Sequence, residues 1–150
     1  MPSVAERIVA DCDDAVIYAD RDGIIVLFNG AAERMFGYPG GQAVGNSLDL
    51  IIPEKHRMKH WRGYHRVMES GVISYTGSLL AVPAVRADGS RISVEFTVAV
   101  LRDEHDRVEG IAAILRDVTD QRNAHQALAR ELATLRRTVD SGPARSDDCP

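Results

Sequence analysis

Within Ser90-Arg-Ile-Ser-Val-Glu-Phe-Thr-Val-Ala-Val-Leu101, the residues from Ile92 to Val100 alternate two kinds of side chain. Ile92, Val94, Phe96, Val98 and Val100 are apolar, and Ser93, Glu95, Thr97 and Ala99 between them are more polar or small. A period of two sends successive side chains to opposite sides of an extended chain, so the stretch predicts a strand with one buried face. Strand candidates flank it at Thr76–Val85 and Val108–Leu115, joined through Arg86-Ala-Asp-Gly89 and Asp103-Glu-His-Asp-Arg107. Both connections read as hairpin turns, the first through its Asp-Gly pair. Further upstream, Ala15–Ala19 and Ile24–Phe28 are parted by Asp20-Arg-Asp-Gly23. That is another hairpin signal, because an Asp-Gly pair tolerates the positive φ of a tight turn.

Between the two strand groups the signals are helical. Asn29 can cap a helix opening at Gly30, with Ala32, Met35 and Phe36 on its apolar side. Gly37 and the cluster Pro39-Gly40-Gly41 are expected to stop it. Pro53 to Ser70 predicts a longer helix, with proline at its start and Gly71 as terminator. Two strands, short helices, a longer helix, three strands and a final helix follow in order. An antiparallel sheet with its helices gathered on one face satisfies that order, an α+β fold.

Composition narrows the function. The chain has 150 residues, 45% hydrophobic and 27% charged, which is ordinary for a globular domain with appendages. Eighteen basic against 22 acidic residues give a net charge of −4, so no broad basic footprint exists for nucleic acid or anionic lipid. Cys12 and Cys149 sit near the two ends, which excludes a disulfide-stapled or zinc-finger framework. No apolar run nears the ~20 residues of a membrane span, and the first residues lack a signal-peptide core. The expectation is a cytoplasmic protein without a membrane partner. Four zones are expected: an N-terminal helical cap over 1–12 with Val4, Ile8 and Val9 on one side, a main domain over 13–117, a helix over 118–140 and a disordered tail over 141–150.

Five separated motifs then resemble those of PAS domains. They are Asp22-Gly-Ile-Ile-Val-Leu-Phe-Asn29, Ala31-Ala-Glu-Arg-Met-Phe-Gly-Tyr38, Val44-Gly45 leading to Ile51-Ile-Pro53, Arg86-Ala-Asp-Gly89, and Arg116-Asp-Val-Thr119. The resemblance covers about Ala10 to Gln121. It implies a five-stranded antiparallel sheet cupping a pocket beneath flanking helices, in a module that senses a signal and passes it to a downstream signalling domain or protein.

The segment PEKHRMKHWRGYHR, Pro53 to Arg66, carries the candidate chemistry. It holds three of the five histidines, His56, His60 and His65. His56, His60 and Tyr64 follow at intervals of four and share a helix face. His60 falls about two turns into the helix, at ~3.6 residues per turn, where it can point at the sheet. The His56/His60 pair alone suggests a divalent metal, but no acidic or cysteine partner completes such a site. A solvated or hydrogen-bonded histidine in a mixed-polarity helix is the plain alternative.

The same segment resembles the proximal helix of haem-binding PAS domains in the oxygen-sensing histidine kinases of nitrogen fixation, where a basic-x-x-His word follows an Ile-Pro pair at this spacing. The resemblance implies haem b with His60 as axial iron ligand, Arg66 on a propionate, and Arg62 and Lys59 as further cations near the mouth. Tyr64 falls one residue later than the tyrosine of those kinases. Leu80, Phe96 and Val98 align with the distal wall, and all three are apolar, as core residues would also be. Leu80 stands where those kinases place the arginine that hydrogen-bonds bound oxygen. The implied signal is therefore CO, NO or redox state, with O₂ held less firmly. Trp61, the sole tryptophan, is expected to pack its helix onto the sheet. Flavin is not expected: Gly45-Asn46-Ser47-Leu48 has serine where photo-adduct domains carry cysteine, and neither Ile92–Leu101 nor Val108–Leu115 contains Asn or Gln.

From Val118 a seam recurs at Gln121, His125, Leu128, Leu132, Leu135 and Val139, alternating threes and fours over about three heptads. Arg130, Glu131, Arg136 and Arg137 lie outside it. The pattern fits a parallel coiled coil, and a homodimer through Leu128, Leu132, Leu135 and Val139 is expected; a helix folded back on its own domain is the alternative. No catalytic site is expected. The glycine-rich Gly37–Gly45 lacks a phosphate-loop ending, and no ATP-binding region follows His125, which sits on its helix as kinase phosphoacceptors do. Two other readings stay open: a cofactor-free PAS interaction module, and a sensor of a small apolar metabolite.

Overall fold

Asp20 and Gly23 close the first turn. The Gly23 N–H donates to the Asp20 carbonyl at 3.0 Å, and Asp20 Oδ1 accepts from the amides of Asp22 at 2.9 Å and Ile24 at 3.0 Å. The computed structural model that places these atoms describes residues 1–73 and 81–142. Along the chain run α1 (Val4–Asp11), β1 (Ala15–Asp20), β2 (Ile25–Phe28), α2 (Gly30–Phe36), α3 (Gly40–Ala43), a 3-10 turn (Leu48–Leu50) and α4 (Glu54–Ser70). Then come β3 (Val82–Val85), β4 (Arg91–Arg102), β5 (Val108–Asp117) and α5 (Thr119–Asp140).

The five strands form one antiparallel sheet in the order β2-β1-β5-β4-β3, the α+β arrangement anticipated from the sequence. Of the strand expected over Thr76–Val85, β3 holds Val82–Val85, and residues 74–80 lie outside the described residues. Register follows the alternation of β4. Phe96 faces Leu115, Val98 faces Ala113 and Val100 faces Ile111, while β1 sets Ala15, Ile17 and Ala19 beside Leu115, Ala113 and Ile111. These residues share the inner face. There Ala15, Ile17, Ile92, Val94 and Leu115 are buried with Ile25, Phe28, Ala32, Phe36, Ala43 and Ile51 in the main core.

Asn29 joins three elements at once. Its Oδ1 accepts from the Val16 amide at 2.9 Å and, as the expected cap of α2, from the Ala32 amide at 3.0 Å. Its Nδ2 donates to the carbonyls of Val9 at 2.8 Å and Asp14 at 3.1 Å, which ties the end of α1 to the sheet. A buried amide with every polar atom engaged is the favourable case for a polar group inside a core. As expected, α2 stops at Gly37, in a left-handed conformation. Beyond it the Pro39-Gly40-Gly41 cluster opens a further short helix, α3, where Glu33 reaches forward and its Oε1 accepts the Gly40 amide at 2.8 Å.

The chain divides into two compact units, the first Met1–Val118 and the second beginning at Thr119. In the second, every residue of α5 from Asp120 to Asp140 is exposed. Among the described residues no helix is long and apolar enough to cross a membrane.

Candidate functional site

α4 starts at Pro53, whose fixed φ suits a helix entrance, and ends at Gly71 in a left-handed conformation with its N–H on the Val67 carbonyl at 2.7 Å. Its first turns are locked to the preceding 3-10 turn by Arg57. The guanidinium donates to the carbonyls of Ile52 at 3.1 Å and Asp49 at 3.2 Å. Its far half rests on the sheet through Tyr64 and Met68, which are buried with Val108 beside Val100 and Ile111.

His60 sits between these anchorages. Its ring centroid is 4.9 Å from that of Trp61, edge to face, and 5.7 Å from that of Tyr64. The side chain is half-buried, but its Nδ1 is sealed from solvent and meets no hydrogen-bond partner among the described residues. Burial holds the imidazole below its ordinary pKa, and the Asp49 carboxylate opposes this only in part. The group is therefore a neutral imidazole at neutral pH with a ring nitrogen left unused in an apolar setting. That is the state in which histidine binds a metal.

The facing sheet is apolar. Along β4 and β5 the row Phe96/Leu115 belongs to the main core, and the row Val100/Ile111 belongs to the cluster around Tyr64. Val98 lies in the row between them, half-buried, and among the described residues neither cluster includes it. Phe96 is half-buried too. The inner face is thus apolar along all three rows, Ala113 opposite Val98 packs against the main core, and Tyr64 and Met68 of α4 pack at the last row.

Arg62 and Arg66 are exposed on α4, as Lys59 is, where guanidinium or ammonium groups stay hydrated and can meet an anion at a rim. Tyr64 is buried, and its hydroxyl donates to the carbonyls of Asp20 and, at 3.4 Å, Ala19. Burial drives the phenol far above its usual pKa, so it stays protonated and serves as a tether to β1. Leu80 lies outside the described residues. Trp61 packs against the Tyr64 cluster, as anticipated, and its Nε1 also donates to Asp49 Oδ1 at 2.7 Å. Sequence reasoning missed this partner. The only signal was a carboxylate twelve residues upstream, in a turn whose approach to α4 depends on the whole fold. On α5 Leu128, Leu132, Leu135 and Val139 are 56, 49, 56 and 78% exposed, an apolar row open to solvent within their unit.

Comparison with known proteins bears on this geometry. The family model described as PAS fold matches residues 5–118. The sensor protein FixL of Bradyrhizobium diazoefficiens is 30% identical over 89 residues, 59% of this chain and 18% of that protein. The oxygen sensor protein DosP of Escherichia coli K12 is 29% identical over 90 residues, 60% of this chain and 11% of that protein. Among solved structures, an RNA-binding light-oxygen-voltage receptor superposes with a TM-score of 0.69 at 23% identity, covering 89% of this chain and 37% of that one. That likeness speaks for the fold alone. The matched region is under a fifth of the length of the curated relatives.

Proposed function

This chain belongs to the PAS fold family, and on that footing we propose that it is a haem-binding sensor domain in a signal-transduction system. The observation that carries the reading is the buried, unpartnered Nδ1 of a His60 kept neutral by its surroundings. An imidazole nitrogen in that position costs stability unless something occupies it, and one protein nitrogen suffices for a haem iron. His60 would hold the iron, with Phe96 and Val98 against the porphyrin and Arg66, helped by Arg62, at the propionates. Bound haem would supply an iron that takes a diatomic gas (CO, NO or O₂) or changes oxidation state. The kinship with an oxygen sensor and with FixL supports the assignment.

The rest is the protein's own work. The apolar face at Phe96 and Val98 would keep water from a bound macrocycle, and Tyr64 holds α4 to β1 so that the imidazole keeps its aim. No residue is given a catalytic role. The signal leaves through α5, whose exposed seam pairs with that of a second copy, and reaches a downstream domain or protein. The experiment is an absorption spectrum of the whole chain titrated with hemin. A Soret band that saturates near one equivalent, and that His60→Ala loses or strongly alters, is expected; a wild-type protein that stays colourless overturns the reading.

A second reading rests on the exposed row of α5. A cofactor-free PAS module would dimerise through it with no pigment, and His60→Ala would leave that association unchanged.

A further inference from the structure

Trp61 occupies a slot whose two walls come from outside α4. One wall is Gly23, at φ +76° in the β1–β2 turn. A Cβ built there would fall 2.1 Å from Cη2 and 2.2 Å from Cζ3 of the indole, so the ring lies on the bare α-carbon. Only glycine combines that φ with that closeness. The other wall is Asp49, whose Oδ1 takes the indole N–H at 2.7 Å and lies 3.9 Å from Nε of Arg57. The walls are themselves joined: the Leu48 amide donates to the Gly23 carbonyl at 3.0 Å, and Ile24 pairs with Ser47.

Successive residues on a helix point about 100° apart, so a rotation of α4 that moves Trp61 also turns His60. Tyr64 adds a second fastening to the same turn through the Asp20 carbonyl. We infer that Trp61, seated on Gly23 and tied to Asp49, is the positioning residue that sets how His60 presents its nitrogen to a haem iron. The inference rests on the haem reading above and assigns its supporting shell. It also makes the β1–β2 turn, rather than the sheet face, the reference against which the iron ligand is aimed.

The test uses the full chain as wild type, Trp61→Phe, Asp49→Asn and His60→Ala, each checked for cooperative thermal unfolding and titrated with hemin. Outer-shell partners of a metal ligand commonly matter by about 10–100-fold in affinity. The expected result is a hemin Kd raised at least about tenfold in Trp61→Phe and several-fold in Asp49→Asn. The iron–histidine stretching band of the ferrous protein should also shift in resonance Raman spectra, which a merely structural role would not move. Gly23→Ala adds a haem-free readout: displacing the indole shifts the emission of the sole tryptophan to longer wavelength. Folded Trp61→Phe and Asp49→Asn proteins with wild-type Kd and an unmoved band, beside a His60→Ala protein that loses the Soret, would overturn the inference and leave the haem reading standing. A wild type that takes up no hemin would overturn both.

Discussion

The imidazole of His60 and the phenol of Tyr64 lie 5.7 Å apart, tilted by 41°, one turn from each other on α4, yet they are used in opposite ways. The Tyr64 hydroxyl is engaged by backbone carbonyls of β1, while the His60 Nδ1 is buried and engaged by nothing among the described residues. The fold needs the tyrosine. It carries the histidine at a cost.

That asymmetry sets the first prediction. An unsatisfied buried polar atom costs about 1–3 kcal/mol. His60→Leu should therefore leave the haem-free protein as stable as wild type or more stable by ~1 kcal/mol, measured by urea unfolding. Hemin uptake should be lost in the same variant. A clear loss of haem-free stability would mean that His60 serves packing instead.

Asn29 is the opposite case. Its amide satisfies the Val16 and Ala32 N–H groups and the Val9 and Asp14 carbonyls. Truncation strands several of these in a buried site, so Asn29→Ala should destabilise by roughly 2–4 kcal/mol. Amides near the end of α1 should lose hydrogen-exchange protection before those of the sheet.

A pH effect follows from Asp14 and Arg116. The two side chains meet through Nε–Oδ1 at 3.0 Å and Nη2–Oδ2 at 2.9 Å, and the hydrogen bonds from Arg116 hold the carboxyl below its ordinary pKa. A carboxylate depressed on folding adds stability above its unfolded pKa and loses it as the pH falls through the folded one. The Asp14 and Arg116 side chains are 35% and 68% exposed, so solvent screens the pair and the effect is small. Wild type should lose slightly more Tm than Asp14→Asn between pH 5 and pH 3, and parallel curves for the two proteins would contradict this.

The α5 seam gives a fourth prediction. Polar substitution at the centre of a paired apolar seam removes its burial, so Leu128→Glu with Leu132→Glu should turn dimers into monomers in sedimentation velocity. Thermal unfolding of the Met1–Val118 unit should be unchanged, because these residues lie outside it.

Much of this architecture is legible in the chain. Ile92 to Val100 announce β4 because alternation is local, and Asn29 announces α2 because its capping bond spans only three residues. α3 is hidden, since Gly40 and Gly41 are poor helix formers and the helix depends on the carboxylate of Glu33. His60 is legible as a candidate from its helix position and the resemblance. Its unused nitrogen is not, because it depends on how α4 meets strands far along the chain. The seat of Trp61 on Gly23 is hidden for the same reason: nothing in either residue's neighbours names the other.

A rod of 22 residues whose side chains from Asp120 onward all face water has little besides its own backbone to keep it wound. Single helices of that length are marginal in water. Dilution should therefore unwind this segment, with far-ultraviolet ellipticity per residue falling as the protein concentration drops. Order at the carboxyl end would then be a report on company.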